Sequence, residues 1–172
     1  MKEENAPSLG QSDVLFLSFL GAGFLPKAPG TWGTLAIIPF LCILGLFKAP
    51  FFLFIPFLTI ATIVTCFITD VAQRKYEVHD PSWVVMDEVL GMWTAWLFTN
   101  NGGSNSPLSI ILIFALFRFF DIFKIWPATF FDKKVKHGAG TILDDIVSGI
   151  YAGLSYLFIL EILPESLMQY FS

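Results

Sequence analysis

Residues 49–69 form an apolar run without a charged side chain. A helix that crosses the hydrocarbon core of a bilayer needs about 20 mostly apolar residues. In lipid every backbone polar group must be satisfied within the segment or a closed sheet, so a run of this length predicts a membrane helix. Four further apolar runs accompany it, at residues 32–47, 83–98, 108–123 and 142–163. Hydrophobic residues make up 55% of the 172 positions and charged residues 14%. Soluble domains hold about 45–50% and about 25% respectively. The excess of apolar side chains excludes a disordered chain and an ordinary water-soluble domain. The formal net charge of -4 leaves no basic surface for nucleic acid. Cys42 and Cys66 both lie inside apolar runs, which excludes a disulfide scaffold.

The expected fold is therefore all-α: a polytopic integral membrane bundle, one membrane domain over residues 1–172, with about five spans. Residues 1–13 read as a flexible cytoplasmic tail. Residues 14–31 combine a half-length apolar stretch, 14–25, with a Gly/Pro loop, and are expected to lie in the interface or re-enter it. Lys27 follows that stretch instead of a small-residue cleavage site, so removal as a signal peptide is not expected.

The loops set the orientation. Lys2 and Lys27 precede the first span, Arg74 and Lys75 separate the second from the third, and Lys124, Lys133, Lys134 and Lys136 separate the fourth from the fifth. Basic loops stay cytoplasmic, so the N-terminus is expected inside. The uncharged tip around Asn100 to Asn105 reads as an outside turn, and Lys48 alone falls on the outer side.

With that topology the intramembrane charges come to one level. Asp87 and Glu88 open the third span, Asp144 and Asp145 the fifth; Asp121 closes the fourth with Arg118 one turn deeper, and Asp70 ends the second. An Asp at the centre of a membrane helix costs about 2.5–3.5 kcal/mol on insertion scales. First-turn acids wetted by headgroups, and favoured there by the helix dipole, are one explanation. The other is a metal site, because two adjacent acidic pairs on different helices repel unless a cation lies between them. Hard cations such as Mg2+ take oxygen ligands, and neighbouring helix positions differ by about 100°, so one member of each pair could ligate while the other supports it. Arg118, Asp121 and Lys124 share a helix face. They form either a self-neutralising ladder or an anion clamp, since Arg matches phosphate oxygens bidentately. The Gly/Pro loop could cradle an anion with its backbone donors, helped by Lys27 and Thr31. Gly91, Gly149 and Gly153 suit close helix contact. His79, beside Asp80, could shuttle a proton, and His137 reads as part of a turn.

Carboxylates that hold a metal beside Arg and Lys at a membrane boundary suit a phosphate ester with a lipid tail. Phosphatase types that depend on Cys-x5-Arg, on Asp-x-Asp-x-Thr or on a His nucleophile array find no matching motif here.

Four ordered stretches then carry a resemblance. They are Gly21-x-Gly23 with Pro26-Lys27-Ala28-Pro29-Gly30-Thr31-x-Gly33-Thr34; Val78-His79-Asp80 followed by Asp87-Glu88-x-x-Gly91-Met92-Trp93; Phe117-Arg118-x-x-Asp121-x-x-Lys124-x-Trp126-Pro127 with Phe131-Asp132; and Gly138-x-Gly140 leading to Asp144-Asp145-Ile146-Val147-x-Gly149. Together they resemble the phosphatidylglycerophosphatase A family, from about Phe19 to Gly153. Ile125 and Ser148 stand where that family usually has Pro and Ala. The resemblance implies a bacterial multi-pass enzyme of the cytoplasmic membrane, with its site facing the cytoplasm. It would remove the terminal phosphate of phosphatidylglycerophosphate with Mg2+ to give phosphatidylglycerol. It makes Asp87, Glu88, Asp144 and Asp145 the metal site, and Lys27, Thr31, Arg118 and Lys124 the phosphate side. Asp87, Glu88, Asp121 and Asp145 are the expected catalytic groups, Asp121 orienting Arg118 or handling a proton. The rival readings are a cation transporter or channel and a non-catalytic membrane scaffold.

Overall fold

A computed structural model of the chain describes residues 7–47, 50–78, 81–99, 106–128 and 138–171. His79, Asp80, Lys2, Lys48, Lys133, Lys134, Lys136, His137 and the tip at 100–105 lie outside these residues. Among the described residues the fold is all-helical. The helices are α1 (Ser12–Leu17), α2 (Pro29–Leu46), α3 (Phe54–Tyr76), α4 (Met86–Trp96), α5 (Pro107–Phe123), α6 (Gly138–Ile162) and α7 (Glu165–Met168). Short 3-10 turns at Ala22–Phe24 and Phe51–Leu53 precede α2 and α3.

The starts and stops follow local chemistry. Pro29 and Pro107 sit in the first turns of α2 and α5, where the missing N–H costs nothing. Arg74 and Lys75 occupy the last turn of α3, which ends at Glu77 in a left-handed conformation. Residues Phe19, Leu20 and Gly21 all take positive φ and turn the chain sharply between α1 and the first 3-10 turn.

The five apolar runs reappear as α2 to α6. Three of these, α2, α3 and α6, are long and apolar enough to cross a membrane. α5 has 17 residues and α4 only 11. At about 1.5 Å per residue α4 is about 16 Å long, roughly half of a bilayer core. It is shorter than the run 83–98 because tertiary contacts keep residues 83–85 out of the helix. The Val85 N–H donates to the Leu17 carbonyl at 3.0 Å. Trp83 is stacked on Phe24 and meets Tyr76 edge-on. Gly23 lies where any Cβ would strike the Trp83 carbonyl.

α4 is the centre of the bundle. Leu90, Met92, Ala95 and Trp96 are fully buried, and α2, α3, α5 and α6 pack around the helix, α6 most extensively. Lipid offers no hydrophobic drive between helices, so close packing must hold them. A Cβ on Gly149 would strike the Gly91 carbonyl, and one on Gly91 would lie 2.6 Å from the Phe117 ring and 2.8 Å from the Asp145 carbonyl. Outward from this core the surface is apolar: Ile60, Ile63 and Phe67 on α3, Ile111 and Ile122 on α5, and Leu154 and Phe158 on α6 are exposed.

The contacts also fix the helix directions. Tyr76 meets Trp83, Gly30 meets Glu88, Thr34 meets Arg118, and Lys124 meets Asp144, all at one end of the bundle. Phe54 meets Trp96, Gly153 meets Phe98, and Ser109 meets Tyr156 at the other. Successive helices from α2 to α6 therefore alternate in direction.

Gln11 and Asp13, just before and within α1, are tied to the end of α3. Lys75 donates to Gln11 at 2.9 Å and to Asp13 at 2.8 Å, and the Tyr76 hydroxyl donates to Asp13 at 2.9 Å. Val14 and Leu17 are fully buried behind this latch, while Leu20 is exposed.

Candidate functional site

α4 and α6 start at the same end of the bundle and run side by side. Asp87 and Asp145 each lie four residues before a contact glycine, Gly91 and Gly149, so the close approach of the helices brings the two acids together. Oxygens of Asp87, Glu88 and Asp145 all lie within 4.8 Å of one another. Asp87 and Asp145 are buried. Asp87 Oδ1 and Glu88 Oε2 are buried and, among the described residues, accept no hydrogen bond. Three converging carboxylates with orphaned oxygens are costly in a nonpolar interior unless a cation lies among them. An all-oxygen donor set of this kind fits a hard divalent ion such as Mg2+ and does not suit a thiophilic one.

The second acid of α6 turns elsewhere. Asp144 forms an ion pair with Lys124 and accepts the Asp145 N–H at 3.1 Å. Ser148 donates to the Asp144 carbonyl at 2.9 Å, so its hydroxyl is bonded as well as packed. Lys124 itself takes a left-handed conformation at the end of α5, which swings its side chain off the helix toward α6. Asp144 thus pairs with Lys124 and is not among the three clustered acids.

Arg118 and Asp121 form an ion pair at 2.6 Å along α5. Asp121 is buried and near enough to interact electrostatically with Glu88 and Asp145. The α5 ladder of the sequence is therefore split between two helices' acids, and both of its cations stand beside the carboxylate cluster. Asp70 instead pairs with Arg74 on α3 at 2.6 Å.

The Gly/Pro loop delivers its backbone more than its lysine. Lys27 is exposed at positive φ and, among the described residues, joins no ion pair. Thr31 is half-buried in the first turn of α2. Two residues on that same face were not singled out by type or charge. Gly30 is buried against Glu88, where a Cβ would strike Glu88 Oε1 and lie 3.4 Å from Arg118 Nη1. Thr34, fully buried one turn later, donates to the Gly30 carbonyl at 2.8 Å and accepts from Arg118 Nη1 at 3.4 Å. Their spacing of four on one helix face was the available signal.

The phosphatidylglycerophosphatase A family model matches residues 15–160 of the chain. A phosphatidylglycerophosphatase A from Haemophilus influenzae is 36% identical over 133 residues, 77% of this chain and 78% of that protein. One from Escherichia coli is 32% identical over 137 residues, 79% of this chain and 77% of that one. A Bacteroides thetaiotaomicron protein with the provisional name phosphatidylinositol-3-phosphatase is 33% identical over 142 residues, 81% of this chain and 87% of its own length. No solved structure matches the chain.

Proposed function

We propose, because this chain belongs to the phosphatidylglycerophosphatase A family, that it hydrolyses the terminal phosphate of phosphatidylglycerophosphate to phosphatidylglycerol and inorganic phosphate, with Mg2+. The observation that carries the chemistry is the meeting of Asp87, Glu88 and Asp145 within 4.8 Å, beside the Arg118–Asp121 and Lys124–Asp144 pairs. We read residues 1–172 as one membrane domain of the bacterial cytoplasmic membrane, with about five spans from α2 to α6, the short α4 enclosed among the longer helices, and residues 14–31 in the interface or re-entering it. Lys27, Arg74, Lys75 and Lys124 lie in or beside the segments of the site end, which favours a cytoplasmic site.

Asp87, Glu88 and Asp145 would hold the ion, with Asp144 behind them. A divalent cation there supplies polarisation of a phosphoryl oxygen and a lowered pKa for a bound water. Arg118 and Lys124 bind the oxygens of the terminal phosphate and stabilise the charge that builds on them. Their resting partners, Asp121 and Asp144, hold both cations in position before substrate arrives. Lys27 and Thr31 flank the headgroup from the start of α2. Water oxygen bonds to the terminal phosphorus, the bond from phosphorus to the glycerol oxygen breaks, and the departing oxygen takes up the proton that the water gives off. Asp121 either orients Arg118 or carries that proton.

A conduit for cations fits this arrangement poorly, because Arg118 and Lys124 stand beside the acids and repel a travelling cation. The relative named for phosphatidylinositol 3-phosphate makes a different phosphomonoester lipid the second reading of substrate. Purified protein in detergent is tested for phosphate release from both lipids, with Mg2+ and with EDTA. The proposal expects Mg2+-dependent release, faster from phosphatidylglycerophosphate. A folded protein that releases phosphate from neither lipid contradicts it.

A further inference from the structure

Arg118 and Asp121 are positioned from α5, but the guanidinium is also held from α2. Arg118 Nη1 carries two hydrogens. It donates to Asp121 Oδ2 at 2.6 Å and to Thr34 Oγ1 at 3.4 Å. The Thr34 hydroxyl spends its own hydrogen on the Gly30 carbonyl at 2.8 Å, so toward Arg118 it can act only as an acceptor. Thr34 is fully buried and cannot be replaced there by water without a cavity. With Nη1 engaged on both sides, the Nε and Nη2 edge of the plane makes no hydrogen bond among the described residues and remains for a ligand. Those two N–H bonds run parallel and form the fork that grips two oxygens of a phosphate.

We propose that Thr34 is a positioning residue: by accepting from Arg118 Nη1 it turns the Nε/Nη2 fork toward the terminal phosphate of the substrate. This rests on the reading of Arg118 as a phosphate ligand. Thr34 touches no substrate atom. It acts through Arg118, and its hydrogen bond to Gly30 ties the aim of the fork to the turn of α2 that lies against Glu88. One hydroxyl thus connects the acidic side of the site to its cationic side.

The test is a double-mutant cycle with a conservative control. Thr34→Val keeps the branched shape and removes the acceptor; Thr34→Ser keeps the acceptor. A misaimed group costs up to about a hundredfold, so Thr34→Val is expected to lower kcat/KM by about tenfold or more, mostly through kcat, because the fork is needed most as charge grows on the phosphoryl oxygens. Thr34→Ser is expected within about threefold of wild type. In an Arg118→Ala background, Thr34→Val should cost less than about twofold, since nothing is left to aim. Thr34→Ala replaces the valine variant in the cycle if the latter does not purify folded. Full activity of Thr34→Val overturns the proposal, and so does an undiminished loss in the Arg118→Ala background. If Arg118→Ala itself keeps full activity, the phosphate-ligand reading fails first, which separates the two failures.

Discussion

The backbone of Gly30 lies so close to the Glu88 carboxylate that a single methyl group on Gly30 would take the place of Glu88 Oε1. The first turn of α2 is therefore one wall of the carboxylate cluster, and at Gly30 that wall is bare backbone. Gly30→Ala must push Glu88 out of the cluster or α2 off the site. The bundle itself, centred on α4 and α6, should survive. We expect at least about a tenfold loss of kcat/KM with little change in thermal stability without metal, measured by phosphate release and by a melting curve in detergent.

With no cation among them, negative charges on the three clustered acids would oppose one another. Asp87→Asn and Asp145→Asn should therefore raise the melting temperature of the metal-free protein while abolishing any rise on adding Mg2+. Activity should fall by about a hundredfold or more, the scale of losing electrostatic stabilisation at a reacting phosphoryl group. A variant that keeps both the Mg2+ response and turnover would remove that residue from the site.

Lys124 and Asp144 differ in exposure, and that sets the size of the next effect. Asp144 is 1% exposed and Lys124 31%. Breaking a fully buried pair by removing one partner costs about 3–5 kcal/mol. With Lys124 partly in solvent, Lys124→Met should cost about 1–2 kcal/mol of stability and lower activity as well. Asp144→Asn, which removes the buried charge and keeps the more exposed one, should destabilise less. Chemical denaturation of the two variants side by side checks the order.

The latch on α1 responds to pH. Burial works against the Asp13 carboxylate, but hydrogen bonds from Lys75 and Tyr76 outweigh it and hold the group below its ordinary value of 3.8. Its folded value is thus lower than its unfolded one. The stabilisation is fully present above the unfolded value and is lost as pH falls through the folded value. Hydrogen exchange of residues 12–17 should show protection at neutral pH that disappears only in strong acid. Asp13→Asn should expose this segment at neutral pH too.

Much of this was legible in the chain, for reasons that differ by residue. Apolar runs and basic loops foretold α2 to α6 and their alternating directions, because lipid leaves a helix few alternatives. The short α4 was not foretold: only the fold reveals that Leu17 claims the Val85 N–H. The paired acids were visible, but their division was not. Two adjacent residues differ by about 100° on a helix, and which one turns inward depends on the neighbouring helix. On α4 both Asp87 and Glu88 join the cluster, whereas on α6 only Asp145 does. Thr34 was visible as the end of the Gly/Pro motif but its contact with Arg118 was not, since a Thr there reads as a residue that bonds its own backbone, which it also does.

The central claim is that Asp87, Glu88 and Asp145 share one divalent ion. Anomalous diffraction from crystals of the active protein loaded with Mn2+ tests it directly. The account predicts a peak bounded by these three carboxylates, lost in Asp145→Asn; a peak elsewhere, or an active protein with none, would contradict it.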